Sequence, residues 1–472
     1  MIHKYKLNGY NICLDVHSGA VHLLDDASYD LLDCFEESQT IPSELPQNVR
    51  EALCKKYSAE ELTDACAELR TLYEDGMLFS SDDYEQFSNM MTKAPIKALC
   101  LNIAHDCNLR CKYCFASTGE YGKGRCLMPV EVGKKAIDFL IENSGTRHNL
   151  ELDFFGGEPL MNFELVKEVV AYARSKEKQY NKNFRFTITT NGMLLTDDKI
   201  DFINREMSNC VLSLDGRKEV NDRLRVTASG HGSYDIIVPK FQKLVASRGD
   251  KDYYVRGTFT RFNEDFTEDV KHIRSLGFDQ ISVEPVVSDP LLDYSIKYED
   301  LPRVFEEYER LANTLIEDRK NGDFYNFFHF MIDLNQGPCA IKRLRGCGCG
   351  NEYVCITPSG DIYPCHQFDG NDDFLMGNIM DGTFDSAMKE RFAKANVYSK
   401  SNCKDCWAKF YCSGGCNANN YQYQGDILKS HTLSCELQKK RLECAIMMKA
   451  ALAEAEISSE NDCADGDCFM NC

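Results

Sequence analysis

Cysteine is the residue type that carries chemistry in this chain. There are 24 cysteines in 472 residues, and they are bunched. Cys107, Cys111 and Cys114 share one loop in a C-x3-C-x2-C pattern. Three thiolates so spaced can hold three irons of a [4Fe–4S] cube and leave the fourth iron without a protein ligand. A ferredoxin would supply four cysteines and only move electrons. An iron with an open position can bind a substrate or cofactor, as an open zinc site does. The rival is a zinc knuckle with His105 as fourth ligand. Cysteine nearly vanishes from 127 to 338 and then crowds the stretch from Cys339 to Cys435. There Cys347 and Cys365 flank Gly360, and Cys403, Cys406, Cys412, Cys416 and Cys435 follow with C-x2-C-x5-C-x3-C spacing among the first four. Gly360 sits in a Pro358–Asp361 turn that can place Cys365 opposite Cys347. Zinc is the rival here too, since C-x2-C pairs also bind it.

Other candidates fall at the ends of apolar segments. Gly156 and Gly157 allow a backbone to approach a ligand closely, and the carboxylate of Glu158 suits an ammonium group. An ordinary turn is the alternative. Thr189, Thr190, Asn191 and Gly192 end a third segment. Ser213, Asp215 and Gly216 end a fourth. Arg225 follows, with Arg223 as a competing choice and a surface salt bridge as the plain reading.

These residues need elements to position them. Alternating apolar runs predict strands at 97–103, 149–155, 184–190, 209–215, 253–260 and 279–286, with helices between them, such as 129–143 and 162–176. Six β/α units imply a parallel sheet, open or barrel-like, that binds ligands at the carboxyl ends of its strands. Ahead of it, residues 1–88 predict a small sheet with about three helices. Its signals are Ile12, Leu14 and Val16, a turn at Ser18–Gly19, and a capping box of Ser58 with Glu61. This part is either structural or a peptide-docking module, in which a strand joins the sheet edge. The stretch 339–440 is loop-rich, and metal is expected to replace an apolar core there. A helix over 433–456 and a disordered acidic tail with Cys463, Cys468 and Cys472 complete the chain. The expected division is 1–88, 96–318, a bridge at 319–346, a cysteine-rich domain at 347–440, and 441–472.

Composition limits the partners. The net charge of −20 argues against sequence-blind binding of nucleic acid or anionic membrane. No 18-residue apolar run exists, and the start is polar too early for a signal peptide. A cytoplasmic location is expected, where so many thiols mean metal rather than disulfides.

The C-x3-C-x2-C loop, with aromatic Tyr113 inside it, resembles the signature of the radical S-adenosylmethionine (SAM) enzymes. The resemblance covers 96–318 and implies a partial (β/α)6 TIM barrel. It implies that the cluster of Cys107, Cys111 and Cys114 cleaves SAM to a 5′-deoxyadenosyl radical. Tyr113 and Phe115 would lie against the adenine, Gly156, Gly157 and Glu158 at the amino group, and Ser213 and Arg225 at the carboxylate. The later cysteines resemble the SPASM domain, which implies two auxiliary [4Fe–4S] clusters and three in all. Cys403, Cys406, Cys412 and Cys435 would close one. Cys347, Cys365 and Cys416 would hold the other, its fourth ligand being Cys339, Cys349, Cys355 or none. Anaerobic sulfatase-maturing enzymes, which make formylglycine, have an Asp base after the cysteine matching Cys365; here that residue is His366.

Residues 1–88 resemble the winged-helix-like leader-binding elements of ribosomal-peptide maturases. The whole chain most resembles the maturases of short six-cysteine (SCIFF) peptides. This implies a precursor peptide with a leader as partner, ferredoxin or flavodoxin as electron donor, and a thioether product. A thiolate parked on an auxiliary iron would bond to a neighbouring carbon radical. A non-catalytic iron–sulfur or zinc scaffold is the alternative of a different class.

Overall fold

The computed structural model describes residues 1–36, 39–88, 94–334 and 340–465. The chain begins with a three-stranded antiparallel sheet, β1 (Ile2–Leu7), β2 (Tyr10–Asp15) and β3 (Val21–Leu24), in sequential order. The alternation at Ile12 and Leu14 marks β2, and Gly19 (φ +80°) makes the turn to β3. β1 is an addition: its Lys and His side chains hide it from a pattern reading. Helices α1 (Asp26–Asp33), α2 (Gln47–Leu53) and α3 (Ala59–Glu74) cover one face. The Ser58–Glu61 capping box starts α3. Leu31, Leu32, Leu62 and Leu69 bury a small separate core between them.

A large sheet follows. β4 (Ala98–His105), β6 (Asn149–Gly156), β7 (Asn183–Thr190), β8 (Asn209–Ser213), β9 (Asp252–Phe259) and β10 (Gln280–Pro285) pair in that order, all parallel. The short β5 (Cys126–Leu127) pairs antiparallel with β4. Between the strands run α4 (Val130–Asn143), α5 (Phe163–Tyr180), α6 (Asp197–Glu206), α7 (Lys218–Leu224), α8 (Tyr234–Ala246) and α9 (Phe266–Ser275), and α10 (Leu301–Lys320) follows β10. Each observed strand starts within two residues of its expected position. The core is mainly Leu, Ile, Val and Phe between sheet and helices. This is a mixed α/β fold with a parallel sheet.

The sheet does not stop at 318. β11 (Asn326–Phe327) extends it beside β10. At the other end β12 (Tyr353–Ile356), from the cysteine-rich stretch, pairs parallel with β4 and carries β13 (Ile362–Tyr363) as a hairpin. The expected boundary at 347 therefore cuts across one continuous sheet. The remaining helices are α11 (Ala340–Arg345), α12 (Ser386–Lys394), α13 (Lys409–Cys412), α14 (Asn417–Gln424) and α15 (Thr432–Asp465).

Two further expectations are corrected. The cysteine-rich stretch has its own apolar core of Tyr363, Phe368, Phe374, Phe392 and Ile427. The aromatics are too scattered in sequence to show a period. The last helix runs to Asp465 rather than ending at 456, because Ala453, Ala455 and Glu456 are strong helix formers that carry it into the acidic run. Cys463 thus lies within α15, whereas Cys339, Cys468 and Cys472 lie outside the described residues. No described helix is long and apolar enough to cross a membrane.

Candidate functional site

The loop after β4 carries Cys107, Cys111 and Cys114. It is pinned by backbone hydrogen bonds from Arg110 N to Val226 O (2.6 Å) and from Lys112 N to Leu224 O (3.0 Å). A bulge between Asn102 and Ala104 shifts the β4–β6 register just before it, so that Ala104 pairs with Gly156. Three glycines let the chain close around this loop. A Cβ on Gly156 would meet Ala104 O at 2.5 Å, one on Gly157 would meet Asp106 O at 2.2 Å, and one on Gly119 would meet the Cys107 Cβ at 2.7 Å. Any side chain at these positions would push the loop away from the ends of β4 and β6.

The polar groups expected around this loop are present, with different partners. Glu158 is buried, and its carboxylate accepts from Leu160 N (3.0 Å), Asn191 N (2.8 Å) and the Thr190 hydroxyl (2.7 Å). Three of about four acceptor positions are filled, so Glu158 ties the ends of β6 and β7 together rather than offering a free carboxylate to an ammonium group. Arg225 is buried and donates to the Tyr113 hydroxyl (2.7 Å), which donates to Asp215 (2.7 Å). Its Nε is a buried donor without a partner. Burial pushes the Asp215 carboxyl above its usual value, and Arg225 opposes this. Arg223 instead stacks on Phe262 at 3.5 Å. Ser213 ends β8, and Phe115 is half exposed at the mouth. His105 is engaged by Asp369 (2.8 Å) and stacks on Tyr121.

Three neighbours had no assigned role in the sequence. Asn191 Nδ2 lies 3.6 Å from the Cys107 sulfur and donates to Asn108 (2.8 Å). Asp215 anchors Tyr113. Asp369 joins Asn102 and His105. Asn191 and Asp215 were legible as polar residues at strand ends; Asp369, from a distant loop, carried no signal.

Among the described residues no three His, Cys, Asp or Glu side chains are drawn together closely enough to share a single metal ion. The thiols instead form three looser sets, assigned by their mutual influence. Cys107, Cys111 and Cys114 act on one another. Burial raises Cys107 to about 12 and Cys111 to about 11. A metal group that took these sulfurs would have to expel their protons. Cys403, Cys406, Cys412 and Cys435 form the second set. Cys347, Cys349, Cys365 and Cys416 form the third, in which Cys347 and Cys365 both push the buried Cys349 thiol further up. Cys349 is in turn the main cause lowering Cys347 to about 6. Cys355 pairs with Cys100 across the β4–β12 register.

β12 on β4 ties the third set to the same sheet as the first, with Cys349 and Cys365 beside the amino end of β4 and Cys107 just beyond its carboxyl end. Gly350 N donates to Pro364 O (3.0 Å), joining the Cys349 and Cys365 loops. The His366 ring lies 5.5 Å from Phe115 and 4.7 Å from Phe155. A cavity of about 370 Å³ continues from the end of β10, between Glu284, His329 and Arg441 on one side and Cys412, Cys416 and Cys435 on the other.

Residues 101–258 match the Radical SAM superfamily, and residues 347–407 match SPASM, an iron–sulfur cluster-binding domain. The radical SAM cyclopropyl synthase TigE of Paramaledivibacter caminithermalis is 22% identical over 92% of this chain and 91% of its own. The structure titled native anSMEcpe with bound AdoMet and Kp18Cys peptide has a TM-score of 0.63 at 20% identity, over 77% of this chain and 99% of that one. Streptococcus suis SuiB bound to precursor peptide SuiA has a TM-score of 0.50 at 17% identity, over 91% and 97%.

Proposed function

We propose, from the premise that this chain is a radical SAM protein with a SPASM domain, that it installs thioether crosslinks in a ribosomally made, cysteine-rich precursor peptide. The two domains imply S-adenosylmethionine and [4Fe–4S] clusters. Bound at Cys107, Cys111 and Cys114, these supply a 5′-deoxyadenosyl radical. The thiol sets, the glycine cradle and the unpartnered Arg225 Nε suit such groups. Gly156 and Gly157, by letting the chain close on the cysteine loop, would set their backbone beside the cofactor, and Arg225, held by Tyr113 and Asp215, would present a free donor for its carboxylate. Cys403, Cys406, Cys412 and Cys435 would hold one auxiliary cluster. Cys347, Cys365 and Cys416 would hold the other, with Cys349 as the fourth thiol the geometry offers.

The observation that carries this reading is the shared mouth. The ring of Phe115, beside Cys114, packs 5.5 Å from that of His366, beside Cys365, so a peptide laid against this pair of rings would border both thiol regions. The rings of Phe115 and Phe155 both pack on His366 and give this region an apolar surface. A thioether formed from S–H and C–H removes two hydrogens: the carbon would lose a hydrogen atom to the 5′-deoxyadenosyl radical, the thiol would lose its proton, and the one electron left over on closing the C–S bond would pass to an auxiliary cluster.

Residues 1–88 support a leader-bearing substrate. One face of β1 packs against the rest of the chain, with Tyr5 donating to Glu443 O (2.9 Å) and His3 stacked on Trp407 at 3.7 Å. Among the described residues β3 pairs only with β2. Its open edge, with Leu23 exposed, suits strand addition by a leader. Ferredoxin or flavodoxin as donor and a cytoplasmic location belong to the same proposal.

Formylglycine formation is the second reading, favoured by the likeness to anSMEcpe. That likeness leaves nearly a quarter of this chain uncovered, and His366 stands where the resemblance calls for an Asp. The test is anaerobic turnover of a short cysteine-rich peptide encoded beside this gene. Thioether formation removes two hydrogens per crosslink and retains every sulfur. A product in which a cysteine has become an aldehyde would sink the thioether reading.

A further inference from the structure

Lys400 is 3% exposed. Its ammonium donates to Gly414 O (2.8 Å) and to Asn417 Oδ1 (2.7 Å), both neutral acceptors. The groups acting on it most strongly, after burial itself, are Cys403, Cys412, Cys416 and Cys347, with no carboxylate among them. Lys409, as deeply buried nearby, has Asp82 at 2.7 Å. A buried ammonium without an anion is costly, and the chain is built around this one. Gly414 has φ +80°, and a Cβ there would sit 2.8 Å from Lys400 Cδ and 3.1 Å from Nζ. The loop from Cys412 to Cys416 thus closes over the lysine only because that position is glycine.

Two of the four cysteines belong to one auxiliary set and two to the other. We propose that Lys400 is a cation shared by the two auxiliary iron–sulfur sites, offsetting the negative charge of both and holding both reduction potentials up. This rests on the reading of two auxiliary clusters given above. The physical reason is electrostatic. Each cluster becomes more negative on reduction, a fixed positive charge beside it stabilises the reduced form, and low local polarity leaves that effect weakly screened. Lys400 is a positioning residue; it touches neither peptide nor SAM.

The experiment is an anaerobic redox titration of the reconstituted full chain, followed by electron paramagnetic resonance, for wild type, Lys400→Gln and Lys400→Arg. In Lys400→Gln both auxiliary midpoints should fall. At a fixed potential the ratio of reduced to oxidised auxiliary cluster should drop about tenfold, which is 59 mV for one electron. The cluster of Cys107, Cys111 and Cys114 should not move, and Lys400→Arg should stay near wild type. If Lys400→Gln cannot hold its auxiliary iron, retention by Lys400→Arg supports the proposal, and loss by both variants overturns it in favour of packing. Unchanged midpoints in a fully loaded Lys400→Gln overturn it directly. A wild-type protein without two auxiliary signals would overturn the cluster reading itself, and this proposal with it.

Discussion

Around the loop after β4 the buried cation has a carboxylate beside it, with Arg225 Nη1 3.7 Å from Asp215. Glu158 holds three donors, Arg225 meets Tyr113 and Asp215, and His105 meets Asp369. Between Cys347 and Cys435 the balance is different: a buried lysine lies among four thiols with only neutral acceptors at its head. The first region can hold its shape before any iron arrives, because its hydrogen bonds and glycine contacts define the loop. The second takes its missing negative charge from whatever binds its sulfurs. The two regions are thus a preformed site and one completed by its cofactor, joined by the pairing of β12 with β4.

The harshest way to break this comparison is to remove the first set of thiols. Replacing Cys107, Cys111 and Cys114 together by Ala should abolish 5′-deoxyadenosine formation. Total iron should fall by about a third, as one [4Fe–4S] cluster of three is lost, and the sheet should stay folded. Iron analysis, turnover and circular dichroism check it. Continued SAM cleavage would show that the radical cluster lies elsewhere.

Stripping iron from the whole protein should then separate the regions. Hydrogen exchange should quicken across 347–435, where buried Lys400 loses its counter-charges, while β4 and β6 to β10 stay protected. Equal loosening of both regions would break the contrast; no loosening in 347–435 would show that its aromatic core is sufficient alone.

The limits of legibility follow the same division. The parallel strands were readable because each carries apolar residues in a run or at alternate positions, and three of them stop at or just before Gly156, Asn191 and Ser213. The three-cysteine loop was readable because its spacing is local. Contacts joining distant segments were not. β12 is four residues long and gives no hint that it docks on β4. Asp369 reaches His105 across most of the chain. Lys400 reads as an ordinary lysine before a cysteine motif; only burial reveals it. Glu158 was legible as a carboxylate at a strand end, but its three partners depend on how β6 and β7 converge.

A smaller effect is expected at a distance from both thiol regions. Leu23 is exposed on β3, the open edge of the first sheet. Leu23→Asp removes apolar surface that a leader strand would cover and should cost about 1.5 kcal/mol of binding, or roughly tenfold. The Michaelis constant for full-length precursor should rise while uncoupled SAM cleavage stays constant. No change with full-length precursor would mean that the leader docks elsewhere.

The smallest effect is expected at the end of α15. Among the described side chains, the anchors of this helix lie before residue 455. Tyr5 donates to the Glu443 carbonyl, Arg441 meets His329 at the cavity, and Cys444, Ala445, Ile446, Met447, Ala450 and Ala451 are buried. Tyr10 makes the last of these contacts, with Glu454. Truncation after Ile457 removes Cys463, Cys468 and Cys472 but none of these anchors. Stability should change by less than about 0.5 kcal/mol, because the anchors named here all remain. Iron content and crosslinking should match the full chain, because the three thiol sets lie wholly upstream. Loss of a cluster's worth of iron on truncation would show that a tail cysteine serves as a ligand, and would make the region completed by its cofactor extend to the end of the chain.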